Sequence, residues 1–213
     1  MISQVKLLAN KHFNEILKIR RHLHQNPELS FKEFKTSAYI QEFLKSKDIP
    51  FTAGHVKTGV VAQIKGVNPT KKKILLRADL DALPINEANN ISYKSLNKGI
   101  MHACGHDVHT SCLMGAMLIL NELKTSFEGT IECVFQPGEE VLPGGAKLMI
   151  QEGLLDSKPN CCIAQHVFPD LEAGKVGFKS GMYMASTDEI HVTVKGKGGH
   201  AALPNKLIDP VLM

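Results

Sequence analysis

The chain has 213 residues, 43% of them hydrophobic and 22% charged, with a formal net charge of +4. That composition belongs to a folded globular protein with apolar material for one sizeable core and part of a second. The basic residues are scattered, residues 71–73 forming the tightest run, and no arginine stripe is interleaved with aromatics, so no nucleic-acid partner is expected.

The N-terminal stretch MISQVKLLANKHFNEI has no apolar signal core or small-residue cleavage site, and the longest apolar run, residues 113–120, is too short to span a bilayer. Five cysteines, an odd number with no CxxC pair, read as reduced thiols. Cys112, Cys133, Cys161 and Cys162 sit among apolar residues and are expected to be buried, whereas Cys104 stands beside glycine and histidines. A soluble cytoplasmic protein without a membrane partner is the expectation.

In chain order, residues 5–24 read as an amphipathic helix with Val5, Leu8, Ile16, Ile19 and Leu23 on one face, ended by Pro27. Residues 32–47 read as a second helix burying Phe34, Ala38, Phe43 and Leu44. GVVAQIKG from Gly59 and KILLRAD from Lys73 are strand-like. Asp107 is placed to cap a helix over residues 108–123 whose apolar character nearly all round predicts burial. GTIECVF from Gly129 is a strand, residues 145–152 a short helix stopped by Gly153, and NCCIAQH from Asn160 another strand.

Strands alternating with helices predict an α/β fold, a mostly parallel sheet flanked by helices. Three strands run into polar chemistry: ILLRAD into Asp79 and Asp81, IECVF into Gln136-Pro-Gly-Glu139-Glu140, and CCIA into Gln165-His166. Ligands of open α/β sheets sit beyond the carboxyl ends of the strands, so parallel strands would deliver all three clusters to one edge. From residue 188, DEIHVTVKGKGGH alternates with period two. Residues 1–184 are therefore assigned to one domain and residues 185–213 to the start of a second, small α/β domain. An apolar helix begins near Ile208 without a polar exit, so the chain reads as partial and both domains as incomplete.

Residues two apart in extended or turn backbone point the same way, so Cys104 and His106 can face one metal ion. A histidine-activated thiol nucleophile and a buried cysteine beside surface histidines are the competing readings. A closed structural zinc site lacks its second ligand pair here, and HExxH is absent. Glu139 and Glu140 are neighbours on a Pro-Gly turn, where one carboxylate can hold metal while the other faces an attacking water. His166 shares the expected sheet edge. Asp79 and Asp81 are open between ligand, orienting partner and turn cap, with Arg77 available to pair with either. The glycines before His200 lack the GxxxxGK[ST] pattern of a phosphate loop, leaving a tight turn with an exposed histidine.

RRHLHQNPELSFKE (residues 20–33), RADLDALPI (77–85), HACGHDVHT (102–110), QPGEE (136–140), QHVFP (165–169) and GKGGHAALP (196–204) occur in that order. Together they resemble the dinuclear-metal amidohydrolases that include hippurate hydrolases, N-acyl-amino-acid deacylases, N-acetyldiaminopimelate deacetylases and plant auxin-conjugate hydrolases. The resemblance spans the chain. It implies a zinc-peptidase-like catalytic domain followed by a lid or dimerisation domain. It also implies two divalent metal ions, zinc or manganese with cobalt or nickel as options, and a small N-acyl-amino-acid substrate. A homodimer or higher oligomer is implied too.

Carried over residue by residue, Cys104, His106, Glu140 and His166 become metal ligands, with Cys104 bridging, and Glu139 becomes the general base and acid. Asp81 takes the place of an aspartate that orients a metal-binding residue, and Asp107 either caps its helix or orients His106. His102 and His109 are supporting residues. His200 becomes a substrate contact from the lid domain. Members of the family take a last histidine ligand from a later segment, so a catalytically incomplete metal-binding fragment is the alternative to an amidohydrolase.

Overall fold

The structure is a computed structural model that describes residues 1–186 and 188–212. It divides into two compact units, Met1–Phe168 and Pro169–Met213. The first holds four α-helices, α1 (Ile2–Gln25), α2 (Phe34–Ser46), α3 (His106–Glu122) and α4 (Gly145–Gln151). Its five strands are β1 (Phe51–His55), β2 (Gly59–Lys65), β3 (Lys73–Asp79), β4 (Thr130–Gln136) and β5 (Cys161–Ala164). No helix among the described residues is long and apolar enough to cross a membrane.

The strands form one sheet in the order β1-β2-β4-β3-β5. The α/β class is as expected, but the sheet is mixed. β3 pairs in parallel with β4 and β5, while β2 pairs antiparallel with β1 and β4. The difference comes from β2, which runs against β4, and from β1, a short strand not legible beforehand. It joins β2 through a tight turn with an irregularity between Ala53 and His55, and such a hairpin connection forces antiparallel pairing. The parallel half, β4-β3-β5, carries the polar strand ends.

Period-two alternation on β2 sorts the layers. Val60, Ala62 and Ile64 join Ala78, Cys133 and Phe135 under α1, α2 and α3, while Val61 joins Leu75 and Val134 on the other face under Met149 of α4. Ile40, Leu44 and Met114 are fully buried in the larger cluster, each contributing about 2 kcal/mol of transfer free energy. α1 and α3 pack so closely that a Cβ on Gly115 would come within 2.6 Å of the Ile16 side chain.

α2 turns a different face inward from the one expected. Phe34 and Ala38 are exposed, and Thr36, Ser37, Ile40, Phe43 and Leu44 are buried. The Glu28 carboxylate sets that rotation by accepting the N–H groups of Lys35 and Thr36 and the Thr36 hydroxyl. Val5 is likewise exposed, so α1 meets the core through Leu8, Ile19 and Leu23.

Of the four cysteines expected to be buried, only Cys133 is; Cys112, Cys161 and Cys162 are exposed. β5 is the edge strand and all four of its residues are exposed, so apolar neighbours in sequence do not cover its thiols.

In the second unit the alternating run from residue 188 forms no named strand. Ile190 and Val192 are exposed, and its one ladder contact is the bridge between Lys197 and Ile208. A strand needs a paired neighbour and a covered face, and this run has neither among the described residues. In place of the helix expected at Ile208 the chain has that bridge and then a turn at residues 210–211, and Pro204–Lys206 forms a short 3-10 helix.

Candidate metal centre

The carboxyl ends of β3, β4 and β5 deliver Asp79 and Asp81, Gln136 to Glu140, and His166 to one edge of the sheet. The start of α3 meets them there. Gly105 stands before α3 in the left-handed conformation at φ 90°, so Asp107 lies inside the first turn and does not cap it. That placement puts His106 and His109, three residues apart, on the face turned to the strand ends.

His106 is the central side chain. It is 1% exposed, and its Nδ1 lies 3.2 Å from Asp81 Oδ1. A carboxylate only accepts, so Nδ1 carries a proton, and in the neutral ring the lone pair stands at Nε2. That Nε2 has no hydrogen-bond partner, and neither does Glu140 Oε1, 3.6 Å away. Glu139 Oε2 is 4.0 Å from the same nitrogen. On the other side, Cys104 Sγ and His166 Nε2 are 3.4 Å apart. His166 donates its Nδ1–H to the Val167 carbonyl, which leaves Nε2 as the free nitrogen. The donor atoms of Cys104, His106 and His166 lie within 4.8 Å of one another, as do those of His106, Glu139 and Glu140.

Two groupings therefore share His106: one sets a sulfur and a second imidazole nitrogen beside it, the other two carboxylates. Buried polar atoms are normally satisfied, so an orphaned imidazole nitrogen facing an orphaned carboxylate oxygen fits a cation held between them. The titration of the site agrees. Burial and the charges of Glu140, Glu139 and Asp79 push the Cys104 thiol up to about 12. Burial and the Glu140 charge raise Glu139. Burial works against the charged form of His106, but Asp81, Asp79 and Glu140 overcome it and raise its pKa. The carboxylate charges that contribute to all three shifts mark an excess of negative charge in the pocket, which a divalent ion would offset.

A third grouping, Asp79, His106 and His109, differs in kind. His109 donates Nδ1–H to Asp79 Oδ1 at 2.6 Å and accepts the Val167 N–H at Nε2, 2.9 Å away. With both nitrogens engaged it is a brace between the end of β3 and the residue after His166. Arg77 pairs with Asp79 at 2.9 Å and donates to Gln136 at 2.7 Å.

Asp81 binds at both oxygens. Oδ2 accepts the Ser30 hydroxyl at 2.6 Å and the Glu140 N–H at 2.9 Å while Oδ1 faces His106. Burial alone would raise its pKa, but these bonds prevail and hold it at about 2. Asp81 thus fixes a histidine and a glutamate of the cluster together.

Asp107 does not reach His106. It lies 2.8 Å from His24 Nδ1 and 2.9 Å from Arg20 Nε, and His24 Nε2 is 3.1 Å from Glu87. Two carboxylates, Asp107 foremost, favour the protonated ring of His24 and raise its pKa. Asp107 is therefore the anchor of a buried ionic network that ties α1 to α3.

His102 is buried with neither ring nitrogen bonded, and burial lowers its pKa to about 4. His200 lies in the second unit, exposed, accepting the Ala202 N–H at Nδ1. Sequence reasoning passed over His24 and Glu33. Their only signal was membership of the first motif, whose buried side chains look like any charged residues on helix ends.

A family model described as Peptidase family M20/M25/M40 matches residues 75–212. N-acetyl-L-cysteine deacetylase of Bacillus subtilis (strain 168) is 48% identical over 198 residues, 93% of this chain and 47% of that protein. N-acyl-L-amino acid amidohydrolase of Geobacillus stearothermophilus is 40% identical over 208 residues, 98% of this chain and 56% of that protein. The chain thus spans about half the length of the curated relatives it matches. A solved dinuclear metal binding peptidase of the M20 family from Bacillus subtilis superposes with a TM-score of 0.77 at 38% identity, covering 81% of this chain and 48% of that one. With the motif-bearing strand ends and the donor cluster in place, the chain belongs to peptidase family M20/M25/M40.

Proposed function

We propose that the protein hydrolyses the amide bond of small N-acyl-amino acids, N-acetyl-amino acids foremost, with two divalent metal ions. The observation that carries this is the pair of unpartnered atoms, His106 Nε2 and Glu140 Oε1, set between Cys104 and His166 on one side and the free Glu139 carboxylate on the other. The names of the deacetylase and amidohydrolase relatives support the substrate class.

Cys104, His106, Glu140 and His166 would hold the metal, Cys104 as the ligand shared between two ions. The thiolate favours zinc, and the mixed donor set also admits manganese, cobalt or nickel. When bound, the ions supply an acidified water and a Lewis acid for the scissile carbonyl.

The remaining work falls to side chains of this chain. Glu139 has no hydrogen-bond partner and is half-exposed, so its carboxylate is free to meet a water at the cluster. It takes one proton as the water oxygen bonds to the carbonyl carbon, then gives that proton to the nitrogen as the C–N bond breaks. Cys104 is a ligand in this scheme, so no acyl-enzyme forms. His200 is proposed as a contact to the substrate carbonyl or carboxylate, and the whole protein as a homodimer.

In protein expressed from its full reading frame, Glu139→Gln should lower kcat on N-acetyl-amino acids by about 100-fold or more while bound metal is unchanged. Wild-type turnover in that variant would remove Glu139 from its role. Metal uptake by the wild type with no hydrolysis of any N-acyl-amino acid would leave a metal-binding protein and overturn the proposed function.

A further inference from the structure

Glu33 is a carboxylate with 0% exposure, it carries no counter-charge, and it belongs to none of the donor groupings of the metal cluster. Its Oε1 accepts the N–H of Phe31 at 2.9 Å and the N–H of Gly138 at 2.8 Å, and its Oε2 accepts the Thr58 hydroxyl at 2.7 Å. Gly138 directly precedes Glu139. Three separate segments therefore meet on one buried side chain: the approach to α2, the turn between β1 and β2, and the loop that leaves β4.

The geometry points to Glu33 as a positioning residue that sets the Glu139 carboxylate over the metal cluster. This rests on the catalytic role proposed above for Glu139.

The loop is gripped on both sides of Glu139. Gly138 N–H goes to Glu33, and Glu140 N–H goes to Asp81. The two carboxylates share the short segment 30–33, because Ser30 donates to Asp81 and Phe31 donates to Glu33. Gly138 sits at φ 56°, where side chains are disfavoured, and a Cβ there would overlap the Phe31 ring. Gly145 N–H closes the loop onto the Gly138 carbonyl at 2.8 Å. Two clamps two residues apart leave Glu139 only its own side-chain torsions. An orphaned buried carboxylate is costly, and each of the three bonds to it is charge-assisted, so the arrangement persists only if all three donors stay in place. Asp81 holds Glu140 as a ligand, whereas Glu33 acts on the residue beside the base. The two should therefore separate in their effects on metal binding and on kcat.

The test uses metal-loaded enzyme from the full reading frame. Glu33→Met keeps length and removes every acceptor. It should lower kcat about 10- to 100-fold, the scale expected for misplacement of a catalytic group, with KM and metal content within about twofold. Glu33→Gln keeps an oxygen for the two N–H groups, and its amide can donate to the Thr58 hydroxyl, so it should recover most of kcat. Hydrogen exchange over residues 136–140 should quicken in Glu33→Met and stay near wild type in Glu33→Gln.

Should Glu33→Met fail to fold, Thr58→Val, which removes one of the three bonds, should still show a fall in kcat without a change in KM. A folded Glu33→Met or Thr58→Val enzyme with wild-type kcat would overturn the assignment, as would equal loss in Glu33→Gln and Glu33→Met. The exchange measurement needs no substrate. Protected exchange that ignores Glu33 refutes the clamp, whereas absence of wild-type hydrolysis refutes only the catalytic reading.

Discussion

Asp81→Asn is the substitution that most directly loosens the cluster without emptying it. In the native arrangement Asp81 receives three donors, from Ser30, from the Glu140 backbone and from His106 Nδ1. Asparagine has one oxygen. If that oxygen stays with Ser30 and Glu140, the new amide donates to His106 Nδ1, the ring takes the other tautomer, and the proton moves to the Nε2 that must bind metal. If the oxygen turns to His106, two N–H or O–H donors confront an NH2 group. Either way at least one charge-assisted bond of about 1.5–3 kcal/mol is lost. That agrees with the 10–100-fold weaker metal binding, about 1.4–2.7 kcal/mol, expected on losing a partner of a ligating histidine. The assay is zinc titration against a competing chelator, with thermal melting as the check on folding. Zinc affinity within about twofold of wild type in a folded Asp81→Asn protein would refute the idea that Asp81 sets the His106 tautomer.

Two further predictions follow the same logic of buried partners. His109→Leu cuts the link from Asp79 to the Val167 N–H, so metal binding should weaken about tenfold and exchange of the amides following His166 should quicken; unchanged exchange would remove His109 as a brace. His102 has its pKa lowered to about 4 by burial, so the unfolded chain binds the proton more tightly and stability is lost as pH falls from 6.5 towards 4. The gap amounts to about 3 kcal/mol, and His102→Met should flatten that acid limb in urea unfolding; an identical limb in both proteins would contradict a buried neutral ring.

The parts legible in the sequence are those where chemistry interrupts a pattern. Apolar strands ending in Asp79, Glu139 and His166 announce a shared edge because parallel strands end together, and the parallel half of the sheet does this. The order of the antiparallel half was not legible, since β1 spans only Phe51–His55 and is mostly exposed. Asp107 reads as a cap by type and position, but a glycine at φ 90° starts the helix two residues earlier and turns Asp107 towards His24 and Arg20. Cys161 and Cys162 look buried by their neighbours and are exposed because they lie on an edge strand. Glu33 was silent for a related reason. A carboxylate buried against backbone N–H groups has no counter-charge in the sequence to reveal it, and its partners Thr58 and Gly138 are distant in the chain.

The central claim is that Cys104, His106, Glu140 and His166 hold metal beside Glu139. The most direct measurement is diffraction from zinc-loaded crystals of the protein from its full reading frame, with maps at the metal absorption edge. The account predicts two peaks at the carboxyl edge of the sheet, one or both about 2.3 Å from Cys104 Sγ and about 2.0–2.1 Å from His106 Nε2 or a His166 nitrogen. A single peak elsewhere, or two peaks with Cys104 and His106 outside bonding distance, would contradict it.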